Sequence, residues 1–185
     1  MNKGNSKIAL QSRKWLMDAL LDLMNRYEYD DITISQICRK ADLSRRTFYR
    51  LYHCKEDMLI EKCTLLMAEY RDLLHRDSPI SYIDMATSYF EFCYLHKDFF
   101  IQLKKSNLLS KIFFVIEESF PELCGSLQRS DNSICQSKAL RYINSYSIGG
   151  LNNMLLQWIR QDMDATPKEL LAALTEFLHS VNAEI

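Results

Sequence analysis

The chain has 185 residues, 48% of them hydrophobic, with only four glycines and three prolines, so it can bury the core of one or two small domains and has few breakers to interrupt helices. Its net charge of −1 argues against a nucleic-acid partner until it is split: residues 1–62 carry 12 Lys and Arg against 9 Asp and Glu, a net +3, while 63–185 carry 11 against 15, a net −4. No run of about 18 apolar residues and no charged-then-apolar leader is present, which excludes a membrane partner and predicts a cytoplasmic protein.

The first informative element spans 32–50. Thr33 is a helix cap, and Gln36, three residues on, can reach back to it in a capping box that predicts a short helix from about Ile34. Ile34, Ile37, Cys38 and Ala41 recur at helical spacing on one face, with Arg39 and Lys40 on the other. Asp42 tolerates the left-handed backbone of a sharp turn. Ser44 then caps a second helix that turns Arg45, Arg46, Thr47, Tyr49 and Arg50 outward and anchors itself through Phe48 and Leu51. Three arginines alone would equally form the solvated face of any amphipathic helix. Two caps, a turn residue and a cationic outer face within about 20 residues make the layout of a helix-turn-helix reader of double-stranded DNA.

Beyond the reader, one long helix is predicted over 55–75, linking head to body through Met58, Leu59, Leu65, Leu66 and Met67. Ser78 as cap and Pro79 at the first helical position predict the next helix, which carries Ile83, Ala86, Tyr89, Phe90, Phe92 and Cys93. A break near His96, short helices through 99–103 and 106–120 ending at Pro121, and an exposed loop over 125–132 follow. Two long helices close the chain. In 137–161 the stripe is Leu140, Ile143, Ser147, Gly150, Leu151, Met154, Leu155 and Trp158, with Gly149 and Gly150 open to a close helix approach. Thr166, Pro167 and Glu169 then supply cap, first-turn proline and box partner for a stripe of Leu170, Leu171, Leu174, Phe177, Leu178 and Val181.

His53, His75, His96 and His179 have no metal spacing, and no phosphate loop, nucleophile elbow or H-E-x-x-H is present, so no enzyme activity, cofactor or metal is expected. The six cysteines are scattered and read as small buried apolar residues, with a redox-sensing Cys54 or Cys63 as the minority reading.

Residues 15–59 resemble the N-terminal domain of TetR-family transcriptional regulators. The resemblance rests on a first-helix stripe (Trp15, Leu16, Ala19, Leu20, Leu23, Met24), an aromatic near Tyr29, a T-I-x-x-I segment from Thr33 to Ile37, and a block from Ala41 to Tyr49. It closes on Tyr52 and Lys55-Glu56-Asp57-Met58. Four positions depart from the pattern: Asp42 stands where Gly is usual, Glu28 where a helix-ending Gly is common, Leu51 where His is frequent, and Cys54 where Ser or Asn caps the fourth helix, whose start should therefore fray.

The resemblance implies an all-α fold, with a three-helix helix-turn-helix domain over 1–62 and a helical-bundle effector-binding and dimerisation domain over 63–185. It implies a homodimer built from the last two helices, here through Leu151, Met154, Leu155, Trp158, Leu170, Leu174 and Phe177, bound as a repressor to a palindromic operator. It also implies a pocket for an unidentified small-molecule effector in the aromatic and Met-rich middle, whose lining the residues do not single out. On DNA, Thr33 and Lys55 are expected to hold phosphates, Arg45, Arg46 and Thr47 to sit near base edges, and Tyr49 and Tyr52 to contact the backbone, with Arg50 a further DNA-binding residue. The rival reading is a helical regulator that works by binding a partner protein, as a coactivator-dependent activator would; such a module has no need of the reader arginines.

Overall fold

The computed structural model describes residues 3–74, 81–110, 112–113 and 138–183. It is an all-α protein, with α1 (Lys3–Met24), a 3-10 turn (Tyr29–Asp31), α2 (Ile34–Lys40), α3 (Arg45–Leu51), α4 (Lys55–Leu74), α5 (Tyr82–Leu95), α6 (Lys97–Lys105), α7 (Lys138–Arg160) and α8 (Pro167–Ala183). Among the described residues no helix is long and apolar enough to cross a membrane.

The head is α1, α2 and α3 closed by the start of α4. Leu16, Leu20, Ile37, Phe48, Met58 and Leu59 are fully buried between them. The local signals read from the sequence are present: the Gln36 amide donates to Thr33 Oγ1 at 3.2 Å, the Thr33 amide donates to Gln36 Oε1 at 2.7 Å, and the Thr47 amide donates to Ser44 Oγ at 3.1 Å. Asp42 adopts φ 53°, the left-handed turn its position demands. A non-glycine residue is strained there, so Asp42→Gly is expected to stabilise the protein by about 0.5–1 kcal/mol, a rise of about 1–4 °C in thermal midpoint, with DNA binding unchanged.

The first helix extends back to Lys3, well before the stripe that marks it in the sequence, and Trp15 is 49% exposed rather than part of the buried face. The start of α4 is not left uncapped by Cys54. Asp57 reaches back, accepting from the His53 amide at 2.8 Å and the Cys54 amide at 3.3 Å, and those amides hold its carboxyl below the usual carboxylate range. Because α4 is continuous from head to body, a domain boundary at residue 62 falls inside a helix.

In the body α5 lies against α4 and α8, and α6 against α7. Helix α5 starts at Tyr82 with Ser81 and Asp84 as its capping box, later than Ser78 and Pro79 would place it. Those two residues, Pro121, the 125–132 loop and most of 106–120 lie outside the described residues. The buried aromatics form one packed core: Tyr70 lies 5.6 Å from Tyr89 and 5.4 Å from Phe92, and Phe90 meets Trp158 edge-on at 6.2 Å. Their polar ends are satisfied, with Tyr70 donating to the Met85 carbonyl at 2.9 Å and Tyr89 to Asn152 Oδ1 at 2.8 Å.

Much of the expected dimer stripe is buried within the protomer. Leu151, Leu155 and Trp158 are each 1% exposed and Leu174 is buried, while Met154 and Leu170 pack half-buried against the same core. Those buried residues face into the protomer because α7 and α8 cover α5 and α6, while Phe177 of the set is 53% exposed. The open face of α7 carries Tyr142 and Tyr146 instead, 73% and 76% exposed, and a Cβ built on Gly149 or Gly150 would meet nothing within 4 Å.

Candidate nucleic-acid interface

Helix α3 is held by one buried anchor. Phe48 is sealed into the head and touches Tyr49 edge-on at 5.5 Å and Tyr52 at 5.8 Å. With Phe48 inward, helical periodicity turns Arg45, Arg46, Tyr49 and Arg50 into solvent, and all four are exposed. Arg45 is not free to wander: its guanidinium lies 5.8 Å from the centroid of the Tyr49 ring and donates to the Tyr49 hydroxyl at 3.5 Å. Thr47 is half-buried, its hydroxyl 3.0 Å from that of Ser44. Thr33 is exposed at the start of α2, with its hydroxyl already donating to Gln36 Oε1 at 2.7 Å.

Two of the expected contact residues have partners within the protomer. Tyr52 is buried: the backbone turns extended at this residue and swings the ring inward, where the hydroxyl donates to Glu61 and Arg13 lies over the ring at 4.9 Å. Arg13 also donates to Glu61 Oε2 at 2.8 Å, so the chain leaving the reader helix is clamped between α1 and α4. Burial first, and then the Glu61 carboxylate, raise the Tyr52 phenol above its ordinary pKa, so it stays a neutral donor.

Lys55 is likewise turned toward its own chain. Its ammonium donates to the carbonyls of Tyr29 and Ile32, the latter at 3.0 Å, and lies 4.1 Å from the centroid of the Tyr29 ring. It closes the C-terminal end of the 3-10 turn, where unpaired carbonyls attract a cation.

The supporting pairs around α2 were not visible in the sequence. Lys40 forms an ion pair with Asp22 of α1, holding that carboxyl below its ordinary range, and Arg26 approaches the same carboxylate at 3.7 Å. None of the neighbouring thiols is a thiolate at neutral pH. Burial pushes Cys63 up to about 12 and also raises Cys38 and Cys54, while the Cys54 thiol donates to Asp57 Oδ1 at 3.3 Å. A redox-sensing Cys54 or Cys63 has no chemical support in these surroundings.

Comparison with known families agrees with this geometry. Residues 16–61, which hold α1 from its buried stripe through the reader to the first part of α4, match the family described as bacterial regulatory proteins, tetR family. Residues 81–180 match the family described as transcriptional regulator C-terminal region. No curated protein matches the chain.

Proposed function

The chain belongs to the TetR family of transcriptional regulators, and from that premise we propose that it is a cytoplasmic, ligand-responsive repressor that binds a palindromic operator as a homodimer. The observation that carries this reading is the division of α3 into one sealed anchor, Phe48, and an opposite face of Arg45, Arg46, Tyr49 and Arg50 open to solvent. A helix presented in this way enters a major groove with its first residues against base edges. Arg45, Arg46 and Thr47 take the base edges; Thr33, Tyr49 and Arg50 take flanking phosphates.

A palindrome requires two readers about one helical turn apart, which a two-fold dimer provides. The exposed faces of α7 and α8, with Tyr142, Tyr146, Gly149, Gly150 and Phe177, supply that contact. Residues 1–62 form the reading unit and 63–185 the effector and dimerisation unit. An effector that favours a dimer with its readers set too far apart releases the operator by population shift, and one that binds both states equally does nothing.

The test is binding of the purified protein to DNA flanking its own gene against scrambled DNA of equal length, over a series of salt concentrations. Selective binding that falls steeply with salt supports the operator reading, and equal affinity for both DNAs at every salt concentration overturns it for that site. Within the same assay Arg46→Ala is expected to lose roughly ten- to a hundredfold on the operator and to relax one base position. Lys55→Ala behaves differently: it lowers thermal stability by about 1–2 kcal/mol through the carbonyls it abandons and leaves the salt slope unchanged. A drop of one unit in the salt slope of Lys55→Ala, with stability intact, would return that lysine to the phosphates.

A further inference from the structure

A cleft of about 280 Å³ opens where head meets body, between α1, α4 and the α5–α6 corner. Its apolar walls are Leu21, Leu95 and Phe99, and Leu95 is 81% exposed among the described residues. Two residues of opposite charge line the cleft from different elements, Lys62 on α4 and Asp98 on α6. Among the described residues neither has an ion-pair partner within 4.0 Å. Gln102 lies at the same seam and joins α6 to the end of α1, its Nε2 donating to the Leu21 carbonyl at 3.4 Å and to Asn25 Oδ1.

We propose that this seam is a binding site for a small zwitterion with an apolar side chain, an aliphatic α-amino acid, whose carboxylate meets Lys62 and whose ammonium meets Asp98. A space of about 280 Å³ lies at the lower end of small-molecule pockets and admits a molecule of amino-acid size. A monovalent amphiphile satisfies only one of the two charges and brings its own charge against the other, so the pair selects against plain carboxylates and plain amines. The side chain covers Leu95 and extends the apolar wall of Leu21 and Phe99. Because the walls come from α1 and α4 on one side and α6 on the other, an occupant is gripped by head and body together and changes the stiffness of the seam bridged by Gln102. The site is separate from the aromatic core of the body, and its occupancy can be tested without any operator.

His96 lines the cleft and serves as its reporter, since the chain has only four histidines. Full-length protein labelled with carbon-13 at the histidine rings is titrated with L-leucine, with 4-methylpentanoate and with 3-methylbutylamine, and the His96 signal is assigned through His96→Gln. Leucine is expected to move the His96 signal to saturation while those of His53, His75 and His179 stay in place. The acid and the amine, each lacking one charge, are expected to bind at least about tenfold more weakly, and Lys62→Gln and Asp98→Asn to weaken leucine by about tenfold each. Both substitutions are at solvent-accessible positions, and an unchanged thermal midpoint shows that the variants fold. An unmoved His96 signal, equal response to all three probes, or full leucine binding by both variants overturns the proposal.

Discussion

Trp158→Ala is expected to destabilise the body by about 3–5 kcal/mol, the range for emptying a buried tryptophan site. The side chain is 1% exposed, stacks on Tyr94 with ring centroids 5.7 Å apart, meets Phe90 edge-on, and donates from Nε1 to the Ala165 carbonyl at 3.0 Å. Truncation therefore leaves a cavity between α5 and α7 and also frees a carbonyl in the turn that leads into α8. That turn has little stability to spare, since Asp162 and Met163 both hold left-handed backbone at φ 57° and 51°. Lys97 and Lys104 tie it down through the Met163 carbonyl at 2.9 Å and the Arg160 carbonyl at 2.8 Å. A loss of this size should lower the thermal midpoint by about 6–20 °C in a chain of this length. The concentration dependence separates core from interface. For a core residue the decrement is the same in dilute and concentrated protein, whereas a partner-facing tryptophan would give a decrement that shrinks on dilution, as parent and variant both become monomers.

The outcome for Trp158 bears on how far the sequence can be read. Caps were legible because they are local: Thr33 with Gln36 and Thr166 with Glu169 lie three residues apart, and each pair closes its box in the structure. Asp42 and Ser44 were legible for the same reason, as turn and cap chemistry acting within one or two residues. Where two signals competed the reading failed, since Ser78 and Pro79 outbid Ser81 and Asp84, although the second pair is also a cap with its acidic partner at the right spacing. Contacts between distant residues had no signal at all. Nothing in one sequence links Arg13 to Glu61, 48 residues away, so Tyr52 read as an exposed backbone contact rather than a buried clamp.

The contacts of Lys55 were not legible for another reason. Its partners are backbone carbonyls, which carry no side-chain signature. The faces of α7 show the remaining limit: periodicity finds a stripe but not what the stripe packs against. Leu151, Leu155 and Trp158 are the most apolar face and so fill the protomer's own core, which left the half-polar tyrosine face as the surface open to a partner.

Tyr146→Arg is accordingly expected to break the proposed dimer and leave the protomer folded. Tyr142 and Tyr146 stand one turn apart on α7, 73% and 76% exposed, and Gly149 and Gly150 follow within the next turn with open space above them. Two such helices can cross closely at the glycines and bury both tyrosines against the partner, a use of aromatic area that solvent exposure alone does not justify. At a two-fold contact each arginine would meet its own copy or the apolar face beside it, so one substitution places two unpaired cations in the interface. Within the protomer the position is solvated, and the unfolding free energy of the monomer should change by no more than about 0.5 kcal/mol. Sedimentation should show a monomer at concentrations where the parent is a dimer. Operator affinity should fall by about 10²–10⁴, since each reader then binds its half-site without the high effective concentration supplied by its twin. A Tyr146→Arg protein that remains dimeric and binds the operator fully would move the interface off this face of α7, and the exposed Phe177 of α8 would become the next position to charge.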